Sequence, residues 1–175
     1  MDRAARLDLQ EHSLDGLLTV LGLSTAPEPD PRVDRLARLE PLYPQYHRIG
    51  HKRQAAYRAL AADRALARSH ADAVYAALVH DDDPNSPRWL TSVLLTAVGR
   101  RRLQERLLGT VAVGTPYQRA CAAGGWRWAD PTPGDDARLR TACAAAAVDC
   151  IDPWARERLT AAARPDGAGR EDAGR

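Results

Sequence analysis

SPRWLTSVLLTAVGRRRLQERLLGTVAVGTPYQRACAAGG, residues 86–125, carries the fold in its punctuation and its period. Ser86-Pro87 and Thr115-Pro116 each place a side-chain acceptor before a proline. Proline at the first helical position loses no hydrogen bond and arrives with its φ preset, while the Ser or Thr accepts from the orphan amides. Both pairs predict helix starts, and Gly99 and Gly114 predict stops. Between these marks Leu90, Val93, Leu94 and Ala97 form one apolar seam and Leu103, Leu107 and Val111 another, at the spacing of one-sided helices.

The same grammar extends outward. Asp30-Pro31 and Asp152-Pro153 repeat the cap-proline pair, and Ser69 with Asp72 reads as an acidic capping box. Gly22 and Pro41 are further stops, and STAPEPDP (24–31), HDDDPN (80–85) and DPTPG (130–134) read as breakers. Ala71, Val74, Tyr75 and Leu78 form a third seam, and Leu139, Cys143, Ala146 and Cys150 a fourth. Helices are expected near 3–21, 31–40, 48–66, 70–79, 87–98, 100–113, 116–129, 136–150 and 153–163. Short connections make neighbours antiparallel hairpins.

Composition agrees. The 175 residues include 33 Ala and 21 Leu but only two Ile and no Phe, so strand formers are scarce and an all-α fold is expected. With 45% apolar and 27% charged residues, the chain is a globular domain that folds without a disulfide or metal. Residues 1–164 are expected to form a single helical domain and 165–175 a disordered C-terminal tail. No run of 18 apolar residues spans a membrane, and MDRAARLDLQEHS lacks a secretory h-region, which points to the cytoplasm. Cys121, Cys143 and Cys150 contain no CxxC pair and read as buried reduced thiols.

The marked starts at 86, 115 and 152 lie 29 and 37 residues apart, with about two short helices in each interval. That is the rhythm of an α-solenoid of stacked helical hairpins; the alternative is an irregular multi-helix bundle. The runs LLTAVGRRRLQERLLGTVAVGTPYQRACAAGGWRWAD (94–130) and DDARLRTACAAAAVDCIDPWARERL (135–159) resemble the small HEAT-repeat proteins of actinobacteria. Those proteins similarly carry a Gly-Thr before a small-residue helix that ends in an aromatic cluster. The intervals are shorter than the usual HEAT repeat of about 40–47 residues, and the first half of the chain shows no clear copy. The resemblance implies a HEAT-like scaffold for macromolecular contacts and no catalytic residue.

Charge is distributed unevenly. Residues 88–128 hold seven Arg (88, 100, 101, 102, 106, 119 and 127) against Glu105 alone, while the flanks are mildly acidic. This basic block either faces an acidic or phosphate-bearing partner or solvates two helices with its guanidinium groups. If residues 116–129 continue as one helix, Tyr117, Cys121, Gly124 and Trp128 share the core side and Trp126 faces outward near Arg119. Trp126, with Arg119, Arg127, Arg101, Arg102 and Arg106, is then the expected partner-binding surface; the competing reading packs Trp126 on the adjacent hairpin.

Other constellations are weaker. His47 and His51 are four apart, but Pro44 and Gly50 make their helix doubtful, and neither metal nor cofactor is expected. Asp81, Asp82 and Asp83 lack the spacing of a calcium loop and read as a solvated turn. No GxSxG, GxGxxG or Walker loop occurs. The leading function is a non-enzymatic helical-repeat scaffold that binds another protein. The second is nucleic-acid binding through block 88–128, since some HEAT-like proteins are DNA glycosylases acting on alkylated bases. A hydrolase built on His and Asp is a third class, resting on His47 and His51 alone.

Overall fold

The computed structural model describes residues 1–25 and 29–165, and among them every regular element is helical. The helices are α1 (Arg3–Val20), α2 (Pro31–Ala37), α3 (Tyr43–Ala62), α4 (Arg64–Ser69), α5 (Ala71–Leu78), α6 (Pro87–Val98), α7 (Arg100–Val113), α8 (Pro116–Gly125), α9 (Pro133–Val148) and α10 (Pro153–Ala162). A 3-10 turn, Trp126–Trp128, follows α8. The chain is therefore all-α. The expected tail from 165 lies, but for Pro165, outside the described residues. No helix among the described residues is long and apolar enough to cross a membrane.

Three of the four cap-proline pairs work as their chemistry dictates. Asp30 accepts from the Arg32 amide, Thr115 forms a full capping box with Gln118, and Asp152 accepts from the Ala155 amide. The expected 136–150 helix starts earlier, at Pro133, because Thr132 forms a second full box with Asp135. Proline starts helices here more often than it breaks them: Pro44 opens the first turn of α3, five residues before the expected start of that helix. The expected 48–66 helix is instead two, since Asp63 leaves helical geometry and caps α4 through the Ala65 and Leu66 amides. The Ser69 box does not form. The Ser69 hydroxyl donates back to the Leu66 carbonyl, and Asp72 turns to Arg106. Gly99, at φ +85°, makes the corner between α6 and α7, a backbone region that favours glycine.

Helices meet in parallel pairs with a recurring offset. Asp8 pairs with Gln45 and Glu11 with Arg48, each 37 residues apart, so α1 and α3 run in the same direction. Tyr57 stands edge-on to Trp89, and Arg64 donates to the Thr96 carbonyl 32 residues on, which lays the end of α3 and then α4 along α6. Arg106 binds Asp72 and Tyr75 meets Thr110, at offsets of 34 and 35, so α5 and α7 are parallel. Tyr117 and Trp154 have ring centroids 5.5 Å apart, which aligns α8 with α10. Beneath these surface pairs the apolar side chains form one continuous core running from Leu7 to Leu159.

The ends of this arrangement meet. The Met1 amino group pairs with Asp152, Arg6 lies over the Trp154 ring at 4.4 Å, and α1 thereby closes against α10.

Candidate functional site

Helix α8 is the centre of the molecule, touching α5, α6, α7, α9 and α10. Its Ala120, Ala122, Ala123 and Gly125 are buried together with Tyr117 and Cys121, so little of it faces outward. Small residues make up most of this buried face, and Gly125 packs against Leu78 with room only for ordinary contact, 3.6 Å from a Cβ built there.

Trp126 is consequently not a surface anchor. It is 2% exposed, and its indole Nε1 donates to Asp136 Oδ1 of α9 at 2.9 Å. The outward placement fails for two physical reasons. The α-helix ends at Gly125, so extrapolating its turn through 129 misplaces the ring, and neighbours cover both sides of α8. Gly124, expected in the core, is exposed, and Trp128 is half-buried with Arg127 stacked 4.6 Å from its ring.

The expected arginine surface also divides. Arg119 donates to the Gly114 carbonyl at 2.7 Å, and Arg127 binds the Pro84 carbonyl and Asn85. Arg106 lies 4.0 Å from the Tyr75 ring and pairs with Asp72 at 2.7 Å. Arg106 and Arg127 thereby bridge separate segments, while Arg119 is half-buried against the start of its own helix. Arg101 and Arg102 remain exposed, Arg101 with an i,i+4 pair to Glu105 that contributes little on an open surface. Asp135 is held below the usual carboxylate range by its Thr132 cap first, with the charges of Arg100 and Arg138 adding to it.

A polar centre that sequence reasoning missed lies beneath the HDDDPN segment. Asp81 is 2% exposed, not part of a solvated turn. Its carboxylate accepts from Gln10 Nε2 at 2.6 Å, from Ser86 Oγ at 2.7 Å and from Arg53 Nη2 at 3.1 Å. Gln10 and Arg53 are themselves buried, so one carboxylate ties α1, α3 and the loop before α6. Burial pushes the Asp81 carboxyl up, and the Arg53 charge and the Ser86 hydroxyl oppose it. Diverting Ser86 into this network leaves α6 without a side-chain cap; Asp83 instead orders the loop before it, accepting from the Asn85 and Ser86 amides at 2.8 and 2.9 Å. Tyr46 donates to Asp83 at 2.6 Å, and that bond and burial push the phenol up to about 12. Only Gln10, a lone polar residue on the buried stripe of α1, marks this centre in the sequence.

Two concavities flank it. One, of about 170 Å³, is lined by Asp82, Cys121, Arg127, Trp154 and Arg158, and is below the size of an ordinary ligand pocket. The other, of about 320 Å³, lies beside Tyr43, Tyr46, His47, His51 and Trp89. Both histidines are in α3, with ring centroids 4.5 Å apart. Among the described residues no group of three or more His, Cys, Asp or Glu converges to hold a metal ion.

The three cysteines are unpaired and buried. Burial pushes the Cys121 thiol well up and that of Cys143 to about 11, which suppresses the reactive thiolate. Ellman's reagent is therefore expected to leave all three thiols of the folded chain unmodified and to titrate three after denaturation; rapid labelling of the native protein would contradict this burial.

Acid lability follows from the carboxylates. Burial pushes Glu11 up, but Arg48 and Lys52 outweigh it and leave its carboxyl lowered. Asp83 is likewise lowered, its donors Tyr46, Asn85 and Ser86 outweighing burial, and Asp152 is lowered chiefly by the bond from the chain's amino group. A depressed folded pKa gives stability that is present above the unfolded value and lost as pH falls through the folded one. Melting temperature should hold between neutral pH and about pH 5 and drop steeply below about pH 4. Thermal melts monitored by circular dichroism measure it, and a melting temperature unchanged down to about pH 3 would refute the pairing.

The fold defines an all-α chain with helices paired in parallel at intervals of 32 to 37 residues. No family model matches the chain, nor does any curated protein or solved structure.

Proposed function

We propose that the chain is a non-enzymatic helical-repeat module, HEAT-like in the stacking of its hairpins, that binds another protein. The parallel pairing at intervals of 32 to 37 residues supports the repeat reading, since each hairpin lays its apolar face on an equivalent one further along. The observation that carries the binding reading is a row of bare aliphatic side chains. Val113 at the end of α7, Val148 at the end of α9 and Ile151 just beyond are 84%, 77% and 85% exposed. Gln104, near the start of α7, donates to the Ala129 and Asp130 carbonyls, just before α9, so the two packed helices run the same way and finish at the same end of the molecule. Leu39, 82% exposed after α2, is a separate bare side chain, whereas three such aliphatics at one end of a packed helix pair supply the apolar anchors an interface core needs.

Affinity capture with the full chain and with a Val113→Asp/Val148→Asp/Ile151→Asp variant tests the reading. A stoichiometric protein held by the first and lost by the second, with the helical signal and melting temperature unchanged, is the expected result. Equal capture by both, or capture by neither, overturns it.

A further inference from the structure

We infer that the opposite end of α7 and α9, together with α4, forms an arginine ridge that takes the phosphate backbone of a nucleic acid without reading its sequence. The residues come from three segments that the chain separates widely. Arg64 and Arg68 of α4 donate through Nε to the Thr96 and Ala97 carbonyls, at 3.1 and 3.4 Å, which brings both beside the Gly99 corner where α7 begins. In the first turn of α7, Arg100, Arg101 and Arg102 fan out at about 100° per residue. Arg102 stands one turn before Arg106, whose guanidinium meets Asp72 at the start of α5, so Arg102 leans to the α4–α5 side. Gln104, one turn after Arg100, donates to the Ala129 and Asp130 carbonyls just before α9, so the start of α9, with Arg138, lies beside the first turns of α7.

All six arginines are exposed. Three of the four carboxylates among them are occupied: Asp63 accepts from the Ala65 and Leu66 amides, Asp135 closes the box with Thr132, and Glu105 pairs with Arg101; the fourth, Asp130, is exposed where Gln104 of α7 holds its carbonyl. Six cations against four acids leave a net excess of two positive charges on one edge. The Nη groups of Arg64 and Arg68 project beyond the Nε atoms that the carbonyls hold.

Phosphate suits this ridge better than an acidic protein does. A protein interface needs a desolvated core of aromatic and aliphatic anchors. The large apolar side chains that this molecule exposes on α7 and α9 are Val113 and Val148, at the far ends of those helices. A guanidinium fork instead matches a phosphate with two parallel hydrogen bonds and needs no apolar surround. Contacts to phosphate alone position a strand and carry no sequence information. The inference is independent of the aliphatic surface at the other end.

Fluorescence anisotropy with a labelled DNA duplex of mixed sequence, its scrambled counterpart and an oligoglutamate peptide tests it. Neutralising about four phosphates predicts an affinity that falls about a hundredfold between about 50 and 200 mM salt, equally for both duplexes. The Arg101→Ala/Arg102→Ala/Arg138→Ala variant, with unchanged circular dichroism and melting temperature, should bind at least about tenfold more weakly and with a salt slope shallower by about two to three. Three results would overturn the inference: no duplex binding at the lower salt, binding that ignores salt, or a triple variant that binds like the parent. Oligoglutamate bound more tightly than duplex would also overturn it, in favour of an acidic protein. Protein capture through Val113, Val148 and Ile151 is scored separately, so either surface can fail without the other.

Discussion

Trp126→Ala should unfold the protein at a temperature lower by about 10 °C or more, with whatever partner affinity survives tracking the folded fraction. The ring is buried between α8 and α9, and its removal leaves a cavity where the packed neighbours relax only in part. Large-to-small changes of this kind cost about 3–5 kcal/mol, and the Asp136 carboxylate also loses its indole donor. Trp126→Phe keeps most of the volume and loses the hydrogen bond, so it should fall between parent and Ala. Chemical denaturation of the three proteins measures this. A Trp126→Ala variant of parental stability would return the indole to the surface and reinstate it as a contact residue.

Asp81→Ala should destabilise by a comparable amount, about 3–5 kcal/mol, through a different mechanism. The substitution leaves the buried Arg53 guanidinium without its counter-charge and strips Gln10 and Ser86 of a shared acceptor. Removing the charge at both positions separates the two contributions. Arg53→Met/Asp81→Leu should recover much of the loss, because a buried ion pair replaced by apolar side chains of similar size is often near neutral. Stability of the double variant equal to or below that of Asp81→Ala would show that the network holds the loop by its hydrogen bonds and not by the ion pair. The loop is the place to look for a local effect, since Asp83 orders the same segment through the Asn85 and Ser86 amides.

Most helix starts are legible in the sequence because capping is local chemistry. Asp30, Thr115 and Asp152 need only the amides two or three residues on. Ser86 fails as a cap because a residue on its other side in sequence, Asp81, claims its hydroxyl once α1 and α3 are packed above it. Thr132 and Tyr43 were hidden by reading proline as a stop, although the rule that marks Asp30-Pro31 applies equally to Thr132-Pro133.

The surface is less legible than the helices. A helical wheel assigns every helix an outward side, and α8, enclosed by its neighbours, has almost none. Summing charge along a window has a similar blindness. It counts Arg106 and Arg119, which are half-buried, and Arg127, which is held to the Pro84–Asn85 loop, and omits the exposed Arg64, Arg68 and Arg138, which the parallel offset carries towards the first turn of α7. The signal for that ridge is the recurrence of arginine at intervals near the repeat length, visible only once the interval is known.

The contact between the first helix and the last changes how such a molecule comes apart. A linear array of hairpins peels from its tips, each lost unit exposing the next. Here the tips are fastened to each other through Arg6, Trp154 and Tyr117, whose hydroxyl also reaches the Arg6 and His80 carbonyls. Loss of α10 then strips contacts from α1 and α8 at once, so these helices unfold as one unit.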